Sequence, residues 1–126
     1  MSTGLQPRQI ESADEFLALT REFRSRQPIS TQIMNSAAQA VSKGSATYES
    51  ARWWIVESNS DVVGIAMHTA PYSIFLSPMP LEAAPTLADL ICASEQRFPG
   101  VNGPLEVVEL FLSPAKKSFR TPFHMN

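Results

Sequence analysis

Residues 52–96 carry the pattern that most limits how this chain can fold. Trp53-Trp54-Ile55-Val56 is followed by a polar stretch from Glu57 to Asp61 and then by Val62-Val63-Gly64-Ile65-Ala66-Met67. A third apolar run, Ile74-Phe75-Leu76, leads into a segment with helical spacing. β-Branched and aromatic residues on both sides of Ser58-Asn59-Ser60-Asp61 predict an antiparallel hairpin over Trp53–Val56 and Val62–Thr69. Hairpin, third strand and covering helix form one unit with an apolar face that has to be buried. Neighbouring strand residues point to opposite faces. One of Trp53 and Trp54 is therefore expected in the core, and the other against a covering element, a partner or solvent.

The segment before this unit reads as helical. Residues 1–9 are polar, contain Gly4 and Pro7, and are expected to be a loose arm in which Leu5 to Ile10 has the option of a short edge strand. Ser12 followed by Glu15 has capping-box spacing, and Phe16, Leu19, Thr20 and Phe23 then recur on one face through about Arg26. Pro28 ends that helix. Ser30 or Thr31 caps a second, whose buried stripe is Ile33, Met34, Ala37, Ala38 and Val41 and whose terminator is Gly44. Residues 45–50 form a polar connection.

After the third strand, Pro78 and Pro80 flank Met79, and Leu81, Ala84, Leu87, Ala88, Ile91 and Cys92 share a helical stripe, with Pro85 in the first turn. This helix is expected to end near Phe98, in a loop spanning 99–104. Leu105 to Leu112 fits either strand or helix; Pro104 and Glu106 favour helix. Residues 113–126 lack periodicity and read as a loose tail whose Lys116, Lys117 and Arg120 make it basic. The expected architecture is one α/β domain (α+β in a looser scheme) over residues 10–112, a mostly antiparallel sheet with helices packed over it.

Composition narrows the function classes. A chain of 126 residues with 44% hydrophobic content supports one core and one domain. A net charge of −2 gives no electrostatic footprint for nucleic acid. No apolar run approaches membrane-spanning length, and the start has no signal-peptide core, so neither membrane insertion nor export is expected. The single cysteine, Cys92, excludes an intrachain disulfide and fits a reducing cytoplasm.

Few residues offer chemistry. His68, on the second hairpin strand, has no Cys, Asp or second His at a spacing that makes a triad or a metal site, and a partly exposed surface histidine or a satisfied core one is the favoured reading. His124 falls in the tail. Cys92 lies on a buried stripe, where a thiol behaves as a small hydrophobe. Tyr72, beside Pro71, reads as a turn residue packing its ring. No catalytic residue is identified, and none is assigned to a cofactor or a metal.

The order strand, two helices, hairpin, strand, helix resembles the first half of the GNAT acyltransferase fold. More closely, Trp54-Ile55-Val56-Glu57, Asp61-Val62-Val63-Gly64-Ile65-Ala66, Thr69-Ala70-Pro71-Tyr72, Leu76-Ser77 and Pro99-Gly100-Val101-Asn102-Gly103-Pro104 resemble the N-terminal region of bacterial GNAT-family N-acetyltransferases over roughly residues 10–110. In that family this region precedes a half that carries acetyl-CoA, and the chain is expected to stop where that half begins; Tyr72 resembles the pocket-facing tyrosines of some acyltransferases, equally with its reading as a turn residue. The family's pyrophosphate loop joins a strand to a helix whose first amides face the phosphates. Here that junction is Ser77-Pro78-Met79-Pro80, where two prolines remove donors and Glu82 adds negative charge. Arg97-Phe98-Pro99-Gly100-Val101-Asn102-Gly103 nearly spells the loop, but it has one residue too many and follows a helix, so it reads as a helix stop and turn.

The resemblance implies an acetyltransferase-like domain, either the non-catalytic N-terminal half or a shortened relative, with no cofactor bound by this chain alone and acetyl-CoA only if family activity is retained. The alternatives are a protein–protein interaction module without enzymatic activity and a complete small acetyl-CoA-dependent enzyme. Half a sheet leaves an edge, and Ile74-Phe75-Leu76 is the expected one. A homodimer or hetero-complex formed there, aided by the outward tryptophan, is the partner expectation.

Overall fold

The hairpin forms because Asn59 and Ser60 adopt positive φ values of 52° and 73°. A two-residue loop of this kind matches the right-handed twist of its flanking strands. It joins β2 (Ser50–Ser58) to β3 (Asp61–Ala70), in a register that sets Trp53 opposite Met67 and Trp54 opposite Ala66. The structure, a computed structural model, describes residues 4–94, 98–118 and 124–125. Before the hairpin come β1 (Leu5–Ile10), α1 (Ala13–Leu19), α2 (Arg21–Arg26) and α3 (Gln32–Lys43). After it come β4 (Ile74–Leu76), α4 (Ala83–Ser94), β5 (Gly100–Asn102), α5 (Leu105–Ser118) and β6 (His124–Met125).

The strands form one six-stranded sheet in the order β1-β2-β3-β4-β5-β6. The pairs from β1 to β4 are antiparallel, while β4–β5 and β5–β6 are parallel. The fold is thus α+β with a mostly antiparallel sheet, as the periodicities predict. Both faces are covered. On one, Trp54, Val56, Ala66, Ile74 and Leu76 pack with Leu87, Ile91, Val107 and Phe111 of α4 and α5. On the other, Trp53, Ile55, Ile65 and Met67 pack with Phe16, Phe23, Met34 and Ala38 of α1–α3. Phe16 stacks on Trp53 with ring centroids 5.0 Å apart.

Several expectations need correction. Both indoles are buried, Trp53 at 2% and Trp54 at 0% exposure, because helices cover both faces. The predicted first helix is two helices that meet at Thr20, whose buried hydroxyl donates to Phe16 O at 2.7 Å. That break turns Leu19 out to 37% exposure, although Phe16, Thr20 and Phe23 stay inside. The α1 cap forms in one direction, Glu15 N–H donating to Ser12 Oγ at 3.1 Å. Gly44 ends α3 in the left-handed conformation, as expected. Ile33, assigned to the buried stripe of α3, is 56% exposed, while Met34, Ala37 and Ala38 are buried.

At the N-terminus, residues 5–9 of the expected loose arm form strand β1 together with Ile10, the option left open by the sequence, and residues 1–3 lie outside the described residues. On the C-terminal side, the loop predicted over 99–104 contains β5. Leu105–Leu112 is helical and continues past Pro114 to Ser118, and His124–Met125 pair with Gly100–Val101. The segment assigned to a loose tail therefore contributes a helical end and a strand. Residues 95–97, with the Arg97 of the loop-like motif, and Arg120 of the basic stretch lie outside the described residues. Among the described residues no helix is long and apolar enough to cross a membrane.

Candidate functional site

The junction singled out by the sequence is folded shut. Beyond β4, Ser77 N–H donates to Ile65 O at 3.0 Å, and Ser77 Oγ accepts from Ile65 N–H at 2.9 Å, so this residue extends the pairing with β3. The chain then crosses Gly64 so closely that a Cβ there would lie 2.7 Å from Met79 Cβ. Glycine is what lets Met79 press onto the strand. At the start of α4, Ala83 N–H donates to Pro80 O at 2.9 Å and Ala84 N–H to Leu81 O at 3.2 Å. Pro85 has no N–H to offer. The first two amides of α4 are thus bonded within the chain and its third residue has none, which leaves this helix start poor in donors for a phosphate.

The other sequence candidates are placed as packing groups. His68 is buried on the α4–α5 face of β3, edge-on to Phe98 at 6.4 Å. Cys92 is half-buried on α4, where burial, with Asp89 adding to it, pushes its thiol above the ordinary value. A raised value keeps the sulfur protonated and poorly nucleophilic at neutral pH. Among the described residues no group of three or more His, Cys, Asp or Glu is placed to hold a metal ion. His124 lies in β6 by its backbone.

Tyr72 is the candidate whose surroundings carry structure. It follows the cis Ala70–Pro71 peptide, and its N–H donates to Thr69 O at 2.8 Å, closing the turn between β3 and β4. Its ring meets Tyr48 edge-on at 6.2 Å. The two tyrosines border a groove of about 460 Å³ on the α1–α3 side of the sheet. Met67 and Phe75 line it from β3 and β4, and Ile33 and Ala37 from α3. A second hollow of about 290 Å³ adjoins it and shares Ile33, Phe75 and Asn102 with it.

The polar side chains facing this groove are Tyr48, Thr69, Tyr72, Ser73 and Asn102. The sequence pointed to Tyr72 alone. The hydroxyls of Thr69, Tyr72 and Ser73 lie close together in the chain, a local signal; Tyr48 and Asn102 reach the groove only through the fold, Asn102 because β5 pairs with β4 and sets it beside Phe75. No protein-family model, no curated protein and no solved structure matches the chain at a significant level, so its function has to be argued from this geometry and the sequence resemblance.

Proposed function

We propose that this chain is an acetyltransferase-like domain that does not carry acetyl-CoA at its β4–α4 junction, either the non-catalytic half of a GNAT-family enzyme or a shortened relative of one. The element order from β1 through α4 runs strand, helices, hairpin, strand, helix, the order on which the resemblance rests. The observation that carries the reading is the closed junction. Ser77 is tied to Ile65, the first two amides of α4 are bonded to Pro80 and Leu81, and the third residue is Pro85. An anion arriving there meets two amides already bonded, a proline without one and the carboxylate of Glu82, a poor substitute for an open, positively polarised helix end.

Calorimetric titration of the full chain with acetyl-CoA tests this. The expected result is no saturable heat. One-to-one binding in the micromolar range would overturn the reading and promote a complete, acetyl-CoA-dependent enzyme in its place. Replacing Pro78 and Pro80 with glycine is not expected to create a site, because Ala83 and Ala84 keep their intramolecular partners.

A further inference from the structure

At the end of β5, a side chain that the fold leaves unused stands next to a glycine that the fold requires. Asn102 is half-exposed and borders both hollows on the α1–α3 side of the sheet. Among the described residues its carboxamide makes no hydrogen bond. Gly103 follows with a φ of 158°, and a Cβ there would lie 2.7 Å from Leu76 O, so packing against β4 fixes a glycine at this place. Gly103 is itself exposed, and its N–H donates to no acceptor among the described residues. With no Cβ in the way, an asparagine side chain ahead of glycine is open to attack by the next backbone nitrogen, and asparagine is among the chemically labile residues. Asn35 and Asn59 lack this combination. Asn35 lies within α3, where its carboxamide oxygen accepts from Arg24 Nη1 at 2.6 Å and from Gln39 Nε2 at 3.3 Å, and the helical backbone aims the Ser36 N–H along the axis. Asn59 is followed by Ser60, whose Cβ crowds the approach.

We propose that Asn102 is a self-modification site, converted in the folded chain to aspartate and isoaspartate with water as the only co-reactant. The Gly103 nitrogen attacks Asn102 Cγ, and the new C–N bond closes a succinimide ring. The bond from Cγ to the side-chain nitrogen breaks, and that nitrogen leaves as ammonia, taking the proton given up by Gly103. Water then adds to one ring carbonyl or the other and opens the ring, to aspartate in one case and isoaspartate in the other, with nothing oxidised or reduced. Either product adds a negative charge to a chain whose formal net charge is −2. Both products act on β5. Aspartate sets a carboxylate beside half-buried Phe75, its neighbour across the β4–β5 pair. Isoaspartate lengthens the backbone by one carbon where Gly103 is already pressed on Leu76 O, which draws β5 away from β4. The chemistry uses neither the β4–α4 junction nor a cofactor, and so stands apart from the acetyltransferase-like reading.

The test incubates the full chain under native conditions in mildly alkaline buffer and follows each asparagine by peptide mapping with mass spectrometry. Asn102 is expected to show the amide-to-acid mass gain first, several-fold faster than Asn59 and with Asn35 unchanged, and to yield two products that chromatography separates. Amide exchange of the converted fraction is expected to show lost protection over Ile74–Leu76 and Gly100–Asn102 while the β2–β3 hairpin keeps its own. Asn102→Gln, whose longer side chain disfavours the ring, is expected to abolish both the mass gain at this position and the loss of protection with time; Asn102→Ser serves if that variant does not fold. Asn102 intact in the folded chain but converted in denaturant would mean that the fold protects it and would overturn the proposal. Conversion led by Asn59, or unchanged protection of β4 and β5 after Asn102 has converted, would overturn it as well.

Discussion

Arg24 is the residue on which the helical layer converges. Its Nε–H donates to Thr20 Oγ1 at 2.9 Å, Nη1 to Asn35 Oδ1 at 2.6 Å and Nη2 to Leu17 O at 2.7 Å, joining α1, the break, and α3. All three acceptors are neutral. Burial pushes the guanidinium below its ordinary value, with Arg21 adding to the effect, but the fork keeps its charge at any pH of interest. Arg24→Met should therefore lower stability by about 1.5–3 kcal/mol, the scale of hydrogen bonds from a charged group. Arg24→Lys should recover only part of this, because an ammonium cannot reproduce the planar fork. Denaturant midpoints decide it, and an unchanged midpoint for Arg24→Met would mean that the α1–α3 contact is held by apolar packing alone. At the same scale, Trp54 Nε1 is buried with no hydrogen-bond partner among the described residues, a cost the packing around that ring has to offset.

Among the elements, β5 is the one whose existence depends most on its neighbours. It is three residues long, Gly100–Asn102, and pairs with β4 on one side and β6 on the other. Its exit is tight. A Cβ on Gly103 would lie 2.7 Å from Leu76 O, a backbone atom with little room to yield. Gly103→Ala should accordingly destabilise the fold by about 1–3 kcal/mol through forced displacement of the β5–α5 turn from β4. The shift should appear in amide exchange, with Ile74–Leu76 and Gly100–Asn102 losing protection before the β2–β3 hairpin does. Equal loss across all strands would show that β4 and β5 are not a separable weak region. The turn also positions Asn102 in the groove, so the close approach at Gly103 ties the sheet's architecture to the groove lining.

For the whole molecule, the consequential fact is that the sheet is covered on both faces and continues past β4. Ile74–Leu76 has β3 on one side and β5 on the other, so it is not the open edge that half a sheet would present. The outer strand at the opposite end, β1, contains Pro7, which has no amide donor to offer an incoming strand. Phe75 is half-buried and packs against the α1–α3 core. Phe75→Lys should therefore lower the denaturant midpoint of the chain itself, through loss of apolar packing and burial of a charge. If that variant kept its midpoint but changed its sedimentation with concentration, an interface built on β4 would return as the better explanation.

Much of this fold was legible along the chain. The hairpin, the Gly44 terminator, the Ser12 cap and the core positions Ala84, Leu87, Ala88 and Ile91 of α4 rest on spacings of a few residues, where local sterics and short-range hydrogen bonds act before any tertiary contact forms. Leu81 of the same predicted stripe, by contrast, lies ahead of the helix at 42% exposure, and Cys92 is half-buried. The shortage of donors that Pro78, Pro80 and Pro85 impose around the start of α4 was also readable, since a missing N–H is a covalent fact. Other features were settled by the assembled structure. A three-residue strand such as β5 has no periodicity to detect and is stable only once β4 and β6 satisfy its backbone groups. Which tryptophan would be left outside had no local answer, because burial of both follows from α4 and α5 closing one face while α1–α3 close the other. The exposure of Leu19 and Ile33 is likewise set by where the helices break and tilt. The groove belongs to the same class: Tyr48, Thr69, Tyr72, Ser73 and Asn102 become one site only when the β3–β4 turn, the approach to β2 and the end of β5 meet, and a constellation drawn from distant segments is decided by topology.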